Sequence, residues 1–324
     1  MKKLITLSTA TLAVMSRSAA YGGASDILTG TTSTDDLSRD IYIETLEAFM
    51  RTNIGLGLVY KQTIQNGNAG QFIIGGKSSS ADVTEYPDTN LQVDVTAGTQ
   101  DERTITLARP QYVARRVAQF EEKIAHYDIR SMYTTQMGEA LAHQVDQNIF
   151  LQIEAAAVGT GVAGNPDGVT VTNAAISTGT TVQNKGDALA EAIFEAAAAL
   201  RINDDNGEAY AVVSPTNYSY LVQSNQAVNA DFTNGNGGFD TGVVRQVGGV
   251  TVLQSNNLPA WVETTNQLEG LVFTRQAVGV LELIGMQTNQ ETQIDFLDAT
   301  LMTAYYAYGM GILRPESAVK IMSA

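Results

Sequence analysis

The feature that most constrains this chain is one stretch, Asp128 to Ala157, in which Met137, Leu141, Val145, Ile149 and Ile153 recur every four residues with no proline among them. Apolar residues at that spacing form one face of an α-helix. At 1.5 Å per residue, about 30 residues reach ~45 Å, whereas a typical globular helix has about 11–12 residues. A helix this long serves as a strut, and the rest of the fold has to be laid along it. It is expected to stop at Val158-Gly159-Thr160-Gly161, with Asn165-Pro166-Asp167-Gly168 turning the chain back.

The segments before it change character twice. Residues 16–40 are rich in Ser, Thr, Gly and Asp and read as an extended or flexible connection. From Asp40 to Met50, Leu46, Phe49 and Met50 fall on one face of a short amphipathic helix. Residues 56–110 read as strands and turns, with strands at Leu58–Tyr60, Gln71–Ile74, Leu91–Val95 and Thr104–Leu107. They carry too little apolar bulk for a core of their own, so a hairpin there must lie on another surface.

After the strut, helix and strand alternate. Asp187 is placed to N-cap a helix over 188–200, Ala209–Val213 reads as a buried strand, and Ser214-Pro215 opens the next helix. Gly235 to Gly242 reads as a flexible loop, and strands follow at Val250–Leu253 and Leu271–Phe273. This is an α/β-type unit. Thr292 to Ile321 is β-rich, with a turn expected at Tyr308-Gly309-Met310-Gly311 and a last strand through Val319 and Ile321. These strands are expected to pack against the long helix.

Composition narrows the function. The 324 residues are 44% hydrophobic with a mean hydropathy of -0.05, enough for one large domain or two medium ones. Cysteine is absent, which removes disulfides and thiolate metal sites and leans toward a reducing compartment. The formal net charge of -15 excludes a protein that wraps nucleic acid in cations. The acidity serves solubility; in a container it would also let enclosed DNA slide. Met1-Lys2-Lys3, the apolar run Leu4–Met15 and the small residues of Ser16–Ala20 have the order of a signal peptide, with Arg17 against it. The apolar run is too short to span a membrane, which takes about 20 residues.

No constellation for chemistry emerges. His126 and His143 stand 17 residues apart in sequence, too far along one helix to share a metal, and read as structural. Gly76-Lys77-Ser78 suggests a phosphate loop, but the spacing puts Gln71 where the first glycine is required. There is no G-x-S-x-G elbow, and the acid pairs Asp204-Asp205 and Glu121-Glu122 read as solvated surface. No catalytic residue, cofactor or metal site is expected. The main cationic stretch is Arg103, Arg109, Arg115 and Arg116, followed by Glu121 and Glu122.

Five segments, in order, resemble one family. The run from His126 through Ala142 is similar to the segment leading into the spine helix of major capsid proteins from short-tailed, podovirus-type phages, which use the Hong Kong 97 fold. Gly70–Lys77, followed by Tyr86-Pro87 and Leu91, resembles that family's extended loop. Val244–Val252 with Leu258-Pro259, then Gly270–Gly279, resemble strands late in its axial domain, and Tyr308–Glu316 resembles its C-terminal segment.

The resemblance implies an α+β fold in four parts. These are an N-terminal arm and short helix (1–55), an extended β-hairpin loop (56–115), a peripheral domain with the spine helix (116–185 and 286–324), and an axial α/β domain (186–285). It implies a shell of hexamers and pentamers that encloses double-stranded DNA without reading its sequence. The implied partners are the chain itself, a scaffolding protein and a portal, with a decoration protein left open, and no membrane. Gly75, Gly76, Lys77, Arg103, Arg109, Arg115, Arg116, Glu121 and Glu122 are the candidate contacts between subunits. The podovirus branch implies no covalent cross-link at Lys77. Two other readings stand beside it: a secreted or outer-membrane protein, and a nanocompartment shell of the same fold.

Overall fold

A computed structural model describes residues 32–75, 100–118, 124, 129–224, 237–238, 243–244, 246–259, 267–293 and 299–323; of 32–39 it describes the backbone. In chain order the elements are α1 (Thr32–Thr52), α2 (Gly55–Leu58), β1 (Tyr60–Thr63), β2 (Ala69–Gly75), β3 (Gln100–Thr106), β4 (Gln111–Val117) and α3 (Ile129–Ala157). Then come β5 (Val169–Thr172), α4 (Ala175–Thr178), α5 (Val182–Ile202), β6 (Ala209–Val213), α6 (Pro215–Gln223), β7 (Gly237–Gly238), β8 (Val243–Val244) and β9 (Gln246–Val247). The last five strands are β10 (Val250–Gln254), β11 (Gln267–Thr274), β12 (Val278–Gln293), β13 (Ala299–Ile312) and β14 (Ala318–Ser323).

The strut is α3, 29 residues and about 43 Å long. Its four-residue track is its buried face: Met137, Leu141, Val145, Ile149 and Ile153 are each at most 2% exposed. That face joins a core with residues from two sheets, among them Met302 and Tyr306 of one and Leu271 and Phe273 of the other. On its flank lies α1, which starts at Thr32, so residues 32–40 are helical rather than an extended connection. The buried face of α1 runs through Ile41, Thr45, Ala48 and Phe49, while Met50 is 70% exposed. One residue turns a helix by about 100°, which carries Met50 out of the stripe that holds Phe49.

The first sheet has the order β1-β12-β13-β4, with β1 parallel to β12 and the rest antiparallel. The second has the order β5-β14-β11-β6-β10-β9. Its central strands bury both faces. Val212, Leu271 and Phe273 face the α3 core, while Val213 and Val272 join Leu189, Ile193 and Leu200 of α5 in a second core. A strand buried on both faces needs a continuous apolar run, which is what Ala209–Val213 and Leu271–Phe273 supply. The chain's last strand, β14, inserts in this sheet between β5 and β11, and β5, which precedes α5 in sequence, forms the edge beside it. β14 also packs against α3, as expected for the C-terminal strands.

Three local expectations change. The strand expected at Leu58–Tyr60 runs instead over Tyr60–Thr63, because Leu58 ends α2. Thr181, not Asp187, caps α5: its side chain accepts from the Asn184 amide. Asp187 lies inside the helix and accepts instead from the Ser224 hydroxyl at 2.6 Å. Tyr308-Gly309-Met310-Gly311 is not a turn but the end of β13, registered opposite Glu282 to Gly279. Val247 and Val250 are joined by a hairpin turn, with Gly248 and Gly249 at φ 62° and 83°, a two-residue turn that takes glycine at both positions. The strand expected at 91–95 and most of the glycine loop at 235–242 lie outside the described residues.

Candidate assembly surfaces

The strands β2 and β3 form a two-stranded sheet separate from both large ones. Their register puts Gly70, Phe72 and Ile74 on one face with Ile105, Arg103 and Asp101, and Gln71 and Ile73 on the other with Thr104 and Glu102. Ile74 and Ile105 pack with Leu281 and Leu313 in a small cluster of their own. The opposite face is open: Ile73 is 77% exposed and stands beside exposed Glu102.

This β2–β3 sheet projects as an arm, and its root rests on glycines. A Cβ on Gly309 would lie 2.4 Å from the Thr106 carbonyl oxygen, one on Gly311 2.8 Å from Ile105 Cγ1, and one on Gly279 3.1 Å from Ile105 Cδ1. Gly279 and Gly311 are partners across β12 and β13, and Gly309 shares a face with Gly311 two residues on. Only a bare strand surface lets the β3 backbone cross this close. The sequence held the signal in the i, i+2 glycines of a β-rich segment, but read as a turn they gave no hint of a platform.

Arg314 clasps the arm to the body. Its Nη2 donates to the Gly75 carbonyl at 3.3 Å, while Nη1 pairs with Glu316 Oε1 at 3.3 Å. Glu316 is fully buried, and its backbone carbonyl accepts from Asn203 Nδ2 at 3.2 Å. Replacing Arg314 by methionine leaves that carboxylate buried without its cation, so a loss of about 3 kcal/mol is expected. Chemical denaturation of the unassembled chain checks this, together with faster protease cutting of the arm.

Of the contact candidates, Gly75 ends β2 and takes the Arg314 bond, and Arg103 is half-buried on the arm's inner face. Arg109 is exposed between β3 and β4, and Arg115 and Arg116 are exposed on β4, an edge strand. Successive strand residues point to opposite faces, so Arg115 and Arg116 leave β4 on opposite sides. Gly76, Lys77, Glu121 and Glu122 lie outside the described residues. Between β4 and α3 is a concavity of about 500 Å³ lined by Pro110, Tyr112, Val113, Leu141 and Gln144, at whose rim Tyr112 is 73% exposed.

Three buried acids hold the elements under these surfaces. Asp146 on α3 accepts from the Ile54 and Gly55 amides at 3.1 and 2.9 Å and from Asn257 Nδ2 at 3.2 Å. Burial raises its pKa above the ordinary carboxylate value against those bonds. Burial likewise raises Glu154, against the opposing charge of Lys320 on β14. Glu282 on β12 pairs with Lys61 of β1 at 2.6 Å. Beside it, burial first and then the Glu282 charge push the Tyr306 hydroxyl upward. His143, read as structural, has its Nδ1 2.6 Å from Asn257 Oδ1. The three acids tie neighbouring elements together, while His143 is exposed. Among the described residues, no group of three or more His, Cys, Asp or Glu side chains is placed to hold a metal ion, and no helix is long and apolar enough to cross a membrane.

A family model for Gp10A-like major capsid proteins matches residues 71–322. The chain is 26% identical over 316 residues to the major capsid protein of Escherichia phage T7, covering 85% of this chain and 88% of that one. Its structure matches the capsid of cyanophage P-SCSP1u with a TM-score of 0.71 at 31% identity, covering 84% and 88% of the two chains. It also matches the mature capsid of bacteriophage PhiM1 with a TM-score of 0.66 at 17% identity, covering 83% and 86%, a likeness of fold. The fold is therefore the α+β Hong Kong 97 type, and copies of the chain assemble into shells. Neither the secreted reading nor the nanocompartment reading is favoured by these likenesses. The chain belongs to the Gp10A-like major capsid proteins and is the structural subunit of an icosahedral phage head, part of the virion.

Proposed function

We propose that the chain builds its shell as hexamers and pentamers around a scaffolding protein, with a portal at one vertex, and encloses double-stranded DNA without catalysing a reaction. The observation that carries this reading is the β2–β3 arm, a two-stranded sheet with one face seated on glycines and the other offering exposed Ile73 beside Glu102. That open face suits the neighbour's β4, where the concavity at Tyr112 takes the apolar part and Arg109 or Arg116 meets the acid. In this reading the arm is the extended loop. The strut with the four-stranded sheet is the peripheral domain, and the six-stranded sheet with α5 and α6 is the axial domain at the ring centres. Closed symmetry repeats each weak contact many times, so contacts worth ~0–1 kcal/mol each still set register. Net charge -15 leaves the enclosed DNA unbound by the shell as a whole.

Electron microscopy of the chain expressed with and without a candidate scaffolding protein tests the reading. Closed polyhedral shells that need the scaffold are expected; a soluble monomer in both cases sinks it. The double variant Arg115→Ala, Arg116→Ala is expected to lower shell yield and heat resistance while the unassembled chain melts as before. Because the two side chains leave opposite faces, one single variant should account for most of the loss. Unchanged shells refute the arginine contacts.

A further inference from the structure

We propose that Asn66, in the turn joining β1 to the arm, is a spontaneous deamidation site that ages the root of the arm. The chemistry is intramolecular. The backbone nitrogen of Gly67 attacks the Asn66 side-chain carbonyl carbon, a C–N bond forms, and ammonia leaves. Water then opens the resulting five-membered imide at either carbonyl, giving aspartate or isoaspartate. The sum is one water consumed and one ammonia released, with no redox step. The attack requires a following residue without a Cβ in the way, an amide nitrogen free to lose its proton, and a backbone free to bring nitrogen and carbon together.

The described residues contain three asparagine-glycine or aspartate-glycine pairs, and they differ in these requirements. Asn66 and Gly67 are exposed, Gly67 sits at φ 103°, and nothing lies within 4 Å of where its Cβ would be. No hydrogen bond among the described residues holds the Gly67 amide. Asn206-Gly207 is also exposed, but the Gly207 amide donates to Asp205 Oδ1 at 3.1 Å. Asp205 is itself buried and fixed by the Thr274 hydroxyl at 2.6 Å. A carboxylate against that N–H opposes loss of its proton and holds it away from Asn206. In Asp167-Gly168 the glycine amide donates to the Gly159 carbonyl at 3.0 Å, and Asp167 Oδ1 accepts from the Gly161 amide at 2.8 Å. Two of the three pairs are locked and Asn66-Gly67 is open.

The product matters where it forms. Isoaspartate routes the main chain through the side-chain carbon, adding a methylene between Thr63, which ends β1, and Asn68, whose carbonyl accepts from Leu107 at the root of β3 at 2.8 Å. Each event also adds one negative charge beside the arm.

The test is peptide mapping of the purified full chain, incubated at neutral pH and body temperature, with mass spectrometry for conversion to the acid and an isoaspartate methyltransferase assay for the isomer. Asn66 is expected to convert about tenfold faster than Asn206, the factor that a single hydrogen bond to a charged acceptor is worth. Asp205→Ala is expected to raise the Asn206 rate toward that of Asn66. Equal rates at the two sites in the unaltered chain, a faster Asn206, or no conversion at Asn66 would each overturn the proposal, whether or not the variant folds.

Discussion

Replacing Gly138 by alanine is expected to destabilise the unassembled chain by about 2 kcal/mol, although alanine is the better helix former. Gly138 lies on the spine helix where α1 crosses it. A Cβ there would stand 2.4 Å from the Thr45 carbonyl oxygen, 2.9 Å from Ala48 Cβ and 3.1 Å from the Phe49 amide nitrogen. Two of these three are backbone atoms, which do not swing aside. Two effects oppose each other. Helix propensity favours alanine by about 1 kcal/mol. Overpacking a tight contact costs about 1–3 kcal/mol and more where backbone must move. Here the helices have to part, which stretches the Thr134 to Glu44 hydrogen bond, now 2.7 Å, and unseats Phe49 from Tyr306, now 5.7 Å ring to ring. The clash therefore outweighs the propensity. Gly57 in α2 is the control, because nothing lies within 4 Å of its Cβ position. Gly57→Ala should be neutral or stabilise by up to ~1 kcal/mol. Urea denaturation of both variants decides the matter, and a Gly138→Ala chain as stable as the parent would show that the crossing is not tight.

The contrast between these glycines shows what the sequence could and could not convey. The spine helix was legible because its signal is local: five apolar residues at one spacing, and all five are buried. The burial of β6 was legible for the same reason, from the continuous apolar run Ala209–Val213. What stayed hidden depends on which element crosses which. Gly138, Gly309 and Gly311 look like any glycines until α1 and β3 are laid over them. Thr181 rather than Asp187 caps α5 because the helix begins a turn and a half earlier than its apolar run, and a Val182–Lys185 turn with a single apolar residue gives no periodicity to read. Met50 was placed on the buried face of α1 for its hydrophobicity, but its angle around the helix decides. Arg314 was inside the quoted C-terminal motif, yet its partner Gly75 lies 239 residues away, and nothing local marks the pair. Arg115 and Arg116 were legible as members of a cationic stretch. Their faces were not, because that needed the register of β4 against β13.

Asp146 sits at the other junction that sequence could not show, and removing its carboxylate is expected to cost more than any other single change considered. Asp146→Ala leaves the Ile54 and Gly55 amides and Asn257 Nδ2 without their acceptor, and Asp146, Gly55 and Asn257 are all buried. At about 1–3 kcal/mol for each buried donor left unpaired, a loss of ~4 kcal/mol is expected. The two amides belong to the start of α2, where a carboxylate also meets the positive end of the helix. Asn257 in turn extends the chain of bonds to His143. Its Nδ2 donates to Asp146, so its Oδ1 accepts, and His143 Nδ1 carries the proton between them. Charge and acceptor act in opposite directions, and pH separates them. Burial holds the Asp146 pKa above the ordinary 3.8, opposed by the three donors and by the His143 charge. A group with a raised folded pKa contributes stability that is full below the unfolded value and is lost as pH rises through the folded one. The parent chain should therefore lose this part of its stability as pH climbs from about 4 through the folded pKa of Asp146. Asp146→Asn keeps one oxygen acceptor and cannot ionise, so its unfolding free energy should fall short of the parent's by about 1–2 kcal/mol at neutral pH. The gap should widen as pH is lowered, because the parent alone gains. Chemical denaturation of both chains across that range reads the difference directly. A gap that narrows toward acid would mean that hydrogen bonding, not burial, governs this carboxylate.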